Sequence, residues 1–303
     1  MKARKRKLSK RFRRHPVISN LIGSLLIGLV KLGGILPYHI RVPAGGWLFG
    51  AVLAPLIGYR NRVRKNLSLI FPDMPETEKL ALARAVPRQI GRTLTEMLSP
   101  EDLIRVSTEA PLVGEGVAQV MTARDAGKPI IFVSGHLGNY DVSRAAMTRK
   151  GFQVGALFRE MNNKRFNDFY VARIEQIATP LFVRGRRGLA EMVKFLRQGN
   201  AIAIMVDQYM TSGTPLTFFG HTAYTAVSAA EMALKYDALL VPIYTIRQED
   251  GLSFEIIIEA PVPHSTPEEM TQALNDSLEA QVRSHMDQWF WIHRRWKAPK
   301  APR

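Results

Sequence analysis

The chain has 303 residues, 46% of them apolar, which is enough for one large domain or two modest ones with a sizeable core. It contains no cysteine, which excludes a disulfide framework, thiolate catalysis and Cys-ligated metal centres and fits a reducing compartment. A formal charge of +16 ordinarily points to nucleic acid, but residues 1–72 hold 15 Lys/Arg and no acid, while the other 231 residues hold 27 basic and 26 acidic ones; the excess is local and the body is nearly neutral.

The charged end also carries the apolar segments. Residues 1–14 form a basic arm with nine Lys/Arg, followed by 14 apolar or small residues at 17–30, a break at Lys31 and a resumption over 32–36. A second apolar stretch, residues 44–59, lies between Arg41 and the cluster Arg60, Arg62, Arg64 and Lys65. A bilayer core of about 30 Å asks for roughly 20 apolar residues, so each stretch is marginal as a lone span. Basic flanks attract anionic headgroups by about 1 kcal/mol per cation. The favoured reading is a membrane-anchoring helical region that lies in or dips into one leaflet. A full span over residues 17–36 competes with it, with Tyr38 and Trp47 as interfacial aromatics. Basic residues on both sides of the apolar region favour a cytoplasmic body. A cleaved signal peptide fits less well, since no convincing small-x-small site follows residues 17–30.

Residues 75–98 read as a helix, with Thr77 as a candidate N-cap and Pro87 expected to end or kink a turn. Strand patterns occupy 129–134, 153–158, 181–184, 201–206, 239–246 and 253–259, and helical patterns 141–150, 163–177, 188–198 and 226–236. This alternation predicts an α/β fold: a mainly parallel sheet flanked by helices, with chemistry at the carboxyl ends of the strands. The basic turn at 185–188 and the polar connection at 247–251 are too short to divide the body. The chain therefore divides into residues 1–65, a membrane-associated region, and 66–303, one domain.

His136 is the most informative residue. A β-branched apolar run turns through Gly135 into this imidazole, and Asp141 follows five residues later at the start of a helical pattern. A histidine with a carboxylate on one ring nitrogen can take a proton from an alcohol with the other. The substrate's own hydroxyl then serves as nucleophile. Asp207 and Gln208 emerge from the buried-strand pattern 201–206, where an acid and an amide serve equally well as a site or as a simple loop start. Arg173 sits on a helical pattern whose Phe166, Phe169, Tyr170 and Ile174 make an apolar stripe; by pattern alone it reads as a solvated helix residue. His221, His264, His285 and His293 are scattered without metal-ligand spacing and read as structural or exposed. The serine-hydrolase elbow, the Walker loop and the dinucleotide fingerprint are absent. Trp289, Trp291 and Trp296, interleaved with His293, Arg294, Arg295 and Lys297, suit either base stacking or a membrane interface.

The motif GHLGNYD from Gly135 resembles the His-x4-Asp/Glu signature of the lysophospholipid acyltransferase superfamily. Within it the chain is most similar to the bacterial lipid A biosynthesis acyltransferases, which add secondary acyl chains. Five further segments match in order: RNRVRKNLSLIFPDM from Arg60, FREMNNKRFNDFYVARI from Phe158, MVDQ from Met205, FFGHTAYTAVSAAEMAL from Phe218 and WFWIHRRWK from Trp289. Many members carry Glu in place of Asp141. The resemblance implies a glycerol-phosphate-acyltransferase-like fold, with His136 as base, Asp141 as its orienting acid and Arg173 as a catalytic cation. It implies Arg159, Asn163, Asp207 and Gln208 as substrate-binding residues, Arg159 by holding a phosphate or a phosphopantetheine arm. Backbone amides near Gly138 are the other candidates for stabilising the oxyanion. No cofactor or metal is implied. The implied donor is an acyl-acyl carrier protein and the implied acceptor a lipid A precursor, at an anionic membrane surface on the cytoplasmic face of a bacterial inner membrane, with no nucleic acid. It also places the C-terminal tryptophans at the membrane interface. A lyso-glycerophospholipid or glycolipid acyltransferase would use the same His136 and Asp141, and only the acceptor would differ.

Overall fold

A computed structural model describes residues 16–297; the basic arm at 1–14 lies outside them. Seven strands form one sheet: β1 (Leu112–Val113), β2 (Ile130–Ser134), β3 (Val154–Phe158), β4 (Leu181–Val183), β5 (Ala201–Met205), β8 (Leu239–Arg247) and β9 (Phe254–Ile258). Their order is β1-β9-β8-β2-β5-β3-β4. The five from β8 to β4 run parallel; β9 is antiparallel to β8 and carries β1 parallel to itself. The expected mainly parallel sheet is thus the observed one. Strands β6 (Thr214–Phe218) and β7 (His221–Thr225) form a separate antiparallel hairpin that the periodicity did not announce.

Strand β2 is central, and all five of its residues are buried. That is why it reads as an unbroken apolar run rather than an alternating one. Ile130 and Phe132 face one core, shared with Val142 and Met147 of α7 (Tyr140–Arg149) and with Ile174 and Ile177 of α8 (Lys164–Ile177). Ile131 and Val133 face the other, with Met192 of α9 (Arg186–Leu196), Ala230 of α10 (Ser228–Tyr236) and Leu274 of α11 (Pro267–Ser284).

Before the sheet come five helices, α1 (Pro16–Gly33), α2 (Tyr38–Leu56, π-helical over Leu48–Leu53), α3 (Tyr59–Ile70), α4 (Glu76–Met97) and α5 (Pro100–Glu109); α6 (Gly116–Asp125) lies between β1 and β2. Helix α4 differs from expectation at both marked positions. It starts at Glu76 after Pro75, with no side-chain cap from Thr77, and it runs unbroken through Pro87. Packing overrides the proline. Helix α2 lies so close to α4 that a Cβ on Gly91 would meet the Gly45 carbonyl at 2.7 Å, and one on Gly46 would meet the Arg88 carbonyl at 2.9 Å. The boundary drawn between residues 65 and 66 falls inside α3, whose Asn66 amide donates to the carbonyls of Trp291 (2.6 Å) and His293 (2.7 Å).

Among the described residues no single helix is long and apolar enough to cross a bilayer; α2 and α3 reach that length only together, and they meet at 83°. Leu21, Leu25, Leu32, Ile35, Trp47 and Leu56 are all more than half exposed. Helix α1 is tied to the body through the Asn163 amide, which donates to the Ser19 carbonyl at 2.6 Å.

Candidate active site

Strands β2 and β5 pair in parallel with Ser134 opposite Met205. Two residues beyond each strand stand His136 and Asp207, so the register alone brings them side by side at the carboxyl ends. The His136 imidazole donates Nδ1–H to Asp207 Oδ1 at 2.8 Å, and its backbone N–H donates to Oδ2 at 2.7 Å. Trp289 Nε1–H completes the set on Oδ2 at 3.0 Å. Asp207 is wholly buried, while the His136 side chain retains 18% exposure.

Burial by itself would lower the His136 pKa, but the charge and hydrogen bond of Asp207 outweigh it and carry the value above that of an ordinary histidine. Burial likewise opposes ionisation of Asp207, yet the facing imidazole and the hydrogen bonds hold its carboxyl well below the usual range. Because Nδ1 carries the proton toward Asp207, the lone pair of a neutral His136 lies on Nε2. Among the described residues no hydroxyl is hydrogen-bonded to that nitrogen, and no cluster of three His, Asp or Glu side chains is arranged to hold a metal.

Three rings surround the imidazole: Tyr140 at 5.2 Å, Phe290 at 5.7 Å and His293 at 5.4 Å between centroids. Burial pushes the His293 pKa down to about 4, so it is neutral at pH 7 beside His136. The loop carrying His136 is clamped from behind. Gly138 has φ +56 and lies against β8, where a Cβ would come within 1.9 Å of the Thr245 carbonyl. Its N–H donates to the Gln288 carbonyl at 3.1 Å, and the Phe290 N–H donates to the His136 carbonyl at 3.0 Å.

This geometry corrects several expectations. The orienting acid is Asp207, placed by sequence among the substrate-binding residues. Asp141 instead accepts from Arg144 Nε at 2.8 Å, in a buried i,i+3 pair on α7. The same Arg144 caps α8 by donating to the Ala178 carbonyl at 2.8 Å. The Gly138 amide, a candidate oxyanion donor, is already occupied. His293 belongs to the site rather than to scattered structural histidines. Trp289 and Trp291 are core residues, 1% and 0% exposed, not interfacial ones.

The remaining predicted residues make no hydrogen bond to the His136 side chain among the described residues. Arg173 stands on α8 one turn beyond Tyr170, its guanidinium over the Phe169 ring at 5.3 Å, with no hydrogen bond to the His136 cluster among the described residues. Asn163 is the N-cap of α8, accepting from the Phe166 N–H at 2.9 Å. Arg159 is exposed just past β3, and Gln208 is exposed beside Asp207.

A base held by a carboxylate at the open end of a parallel sheet, with no hydrogen-bond partner on its second nitrogen among the described residues, is the arrangement of an enzyme that deprotonates a substrate hydroxyl. Comparison with known proteins agrees: the model of the bacterial lipid A biosynthesis acyltransferase family matches residues 7–298, and the chain belongs to that family. It is an O-acyltransferase of the lipid A or phosphatidylinositol mannoside type. It is 23% identical over 282 residues to the lipid A biosynthesis palmitoleoyltransferase of Escherichia coli, covering 89% of each chain. It is 23% identical over 278 residues to the lipid A biosynthesis acyltransferase of Haemophilus influenzae, covering 86% of each. It is 22% identical over 255 residues to the phosphatidylinositol mannoside acyltransferase of Mycolicibacterium smegmatis, covering 82% of this chain and 83% of that one.

Proposed function

We propose that this enzyme transfers a fatty acyl chain from an acyl-acyl carrier protein to a hydroxyl of a lipid A precursor, at the cytoplasmic face of a bacterial inner membrane. The observation that carries the reading is the His136–Asp207 pair, with no hydrogen-bond partner on Nε2 among the described residues. Nε2 takes the proton of the acceptor hydroxyl as its oxygen attacks the thioester carbonyl, and Asp207 stabilises the imidazolium that forms. The oxyanion is assigned to Arg173 on the strength of the family resemblance, because the Gly138 amide already donates to the Gln288 carbonyl. The tetrahedral intermediate collapses, the carbon–sulfur bond breaks, and the departing thiolate takes the proton back from Nε2.

Two surface features support the partners. Arg159 follows β3 and Arg184 follows β4, strands paired with Phe158 opposite Val183, and Arg165 and Arg186 begin the adjoining helices. All four are exposed, and none is in an ion pair among the described residues. This cationic edge suits an acidic carrier. The exposed leucines of α1 and the apolar edge of α2 suit a leaflet. A second reading, acylation of a mannosylated or other glycerophospholipid, is favoured by the similarity to the mycobacterial enzyme. Mass spectrometry of products from purified protein, an acyl-acyl carrier protein and each acceptor in turn separates the two. Transfer only to the mannoside or to a lysophospholipid replaces the first reading with the second; transfer to none of them defeats both.

A further inference from the structure

Glu96 on α4 is completely buried, yet four donors converge on its carboxylate. Arg247 of β8 approaches with both terminal nitrogens, Nη2 at 2.7 Å; Asn139 Nδ2 donates at 2.9 Å; and the Tyr38 hydroxyl, at the start of α2, donates at 3.4 Å. Asn139 is itself fully buried and is the N-cap of α7, its Oδ1 accepting from the Asp141 N–H at 3.2 Å. One turn earlier on α4, Thr93 donates its hydroxyl to the Gly138 carbonyl at 3.0 Å. Arg247 is linked to the other side of the loop, since Gln288 accepts from its N–H at 2.8 Å and donates to its carbonyl at 2.9 Å, while the Gln288 carbonyl receives the Gly138 N–H.

Helix α4 therefore grips the two residues that follow His136 and Leu137, and none of these contacts touches the imidazole, whose charge partner is Asp207. A buried carboxylate is a costly way to hold a helix: desolvation takes several kcal/mol per ion, and well-packed apolar side chains often hold as firmly. What a carboxylate with four directed donors adds is orientation. We propose that Glu96 is a positioning residue for the acyl transfer, fixing through Asn139 where His136 Nε2 lies relative to the acceptor hydroxyl. The proposal rests on His136 being the general base.

Three variants test it in the full-length protein, with kcat, both KM values and Tm measured alongside wild type. Asn139→Ser keeps an N-capping oxygen but does not reach Glu96; misplacement of a reacting group by an ångström costs about 10²-fold, so kcat per folded molecule should fall by about that factor with KM near wild type, while Tm drops because a buried carboxylate loses one of its donors. Asn139→Asp sets two carboxylates against each other and should lose more. Adding Glu96→Gln to Asn139→Asp restores a donor facing an acceptor with the cluster's net charge unchanged, and kcat per folded molecule should return to within about tenfold of wild type. A folded Asn139→Ser enzyme with wild-type kcat, or a double variant no better than Asn139→Asp alone, overturns the role of Glu96. A wild-type protein that transfers no acyl chain counts instead against the function proposed above.

Discussion

Asp207 receives two hydrogen bonds from the single residue His136, at 2.8 Å from the ring and 2.7 Å from the backbone. The carboxylate thus fixes the ring's tautomer and also holds the strand end from which the ring projects. Asp207→Asn should therefore lower kcat by about 10²- to 10⁴-fold in a folded protein, as loss of supported general-base catalysis does. His136→Ala should abolish detectable transfer. A folded Asp207→Asn enzyme with near wild-type kcat would remove Asp207 from the mechanism.

Asp141 should behave differently. Its carboxylate and the Arg144 guanidinium are 8% and 4% exposed, and breaking a buried pair from one side costs about 3–5 kcal/mol. Asp141→Asn should show a marked fall in Tm, with kcat per folded molecule reduced less than in Asp207→Asn. Thermal unfolding and active-site titration on both variants decide the order; equal Tm with a larger kcat loss in Asp141→Asn would restore Asp141 as the orienting acid.

The pH dependence follows from the same pair. His136 must be neutral to act as a base, so kcat/KM should rise with pH to an inflexion above about 6.5, the value of an unperturbed histidine, and Asp207→Asn should move that inflexion down. For stability the signs are opposite for the two partners. The raised His136 pKa stabilises the fold at low pH, and this is lost as pH rises through the folded value. The depressed Asp207 pKa stabilises above about 3.9 and is lost as pH falls through its folded value. The pair's contribution is therefore greatest between those limits, and Tm against pH for wild type minus Asp207→Asn should show a maximum there. A difference curve that is flat from pH 4 to 9 would falsify the ionised pair.

Much of this was legible in the chain, and the misses have physical causes. The buried strands and the His136 turn carry strong local signals. The contact of His136 with Asp207 spans 71 residues and depends on β5 lying beside β2, a strand order that periodicity does not encode. Asp141, by contrast, is close in sequence, and nearness in sequence favoured it; its i,i+3 neighbour Arg144 was the overlooked competitor. Helix α11 could have been found, because Thr266, Pro267 and Glu269 spell the capping box that the structure contains. The C-terminal tryptophans misled because an aromatic and basic cluster looks the same whether it meets headgroups or, as here, closes a core around Phe218 and Phe219.

Gly138 offers a sharp test of the loop. Its φ of +56 costs a non-glycine residue about 1–2 kcal/mol, and a Cβ there would stand 1.9 Å from the Thr245 carbonyl, a backbone atom in a central strand. Gly138→Ala must move the loop away from β8, carrying the ring of His136 with it. The expected outcome is loss of most activity and a lowered Tm; a variant with wild-type kcat and Tm would mean that the loop is not held as described.

The membrane reading yields the last expectation. Deleting residues 1–36 removes the apolar helix but also the α1 contact with Asn163, so substitution on the exposed surface is cleaner. Leu25 and Trp47 are 65% and 58% exposed, and Leu25→Glu with Trp47→Glu should leave Tm nearly unchanged, since surface substitutions typically shift stability by about 0.5 kcal/mol or less. Each charge should nevertheless oppose insertion of its face into the leaflet. Flotation with vesicles rich in anionic phospholipid should show weaker binding for the double variant. What remains should come from the basic residues and fade as salt is raised, because attraction between exposed charges is screened within about 8 Å at physiological ionic strength. Binding of the double variant that equals wild type at both low and high salt would show that α1 and α2 do not meet the membrane through these residues.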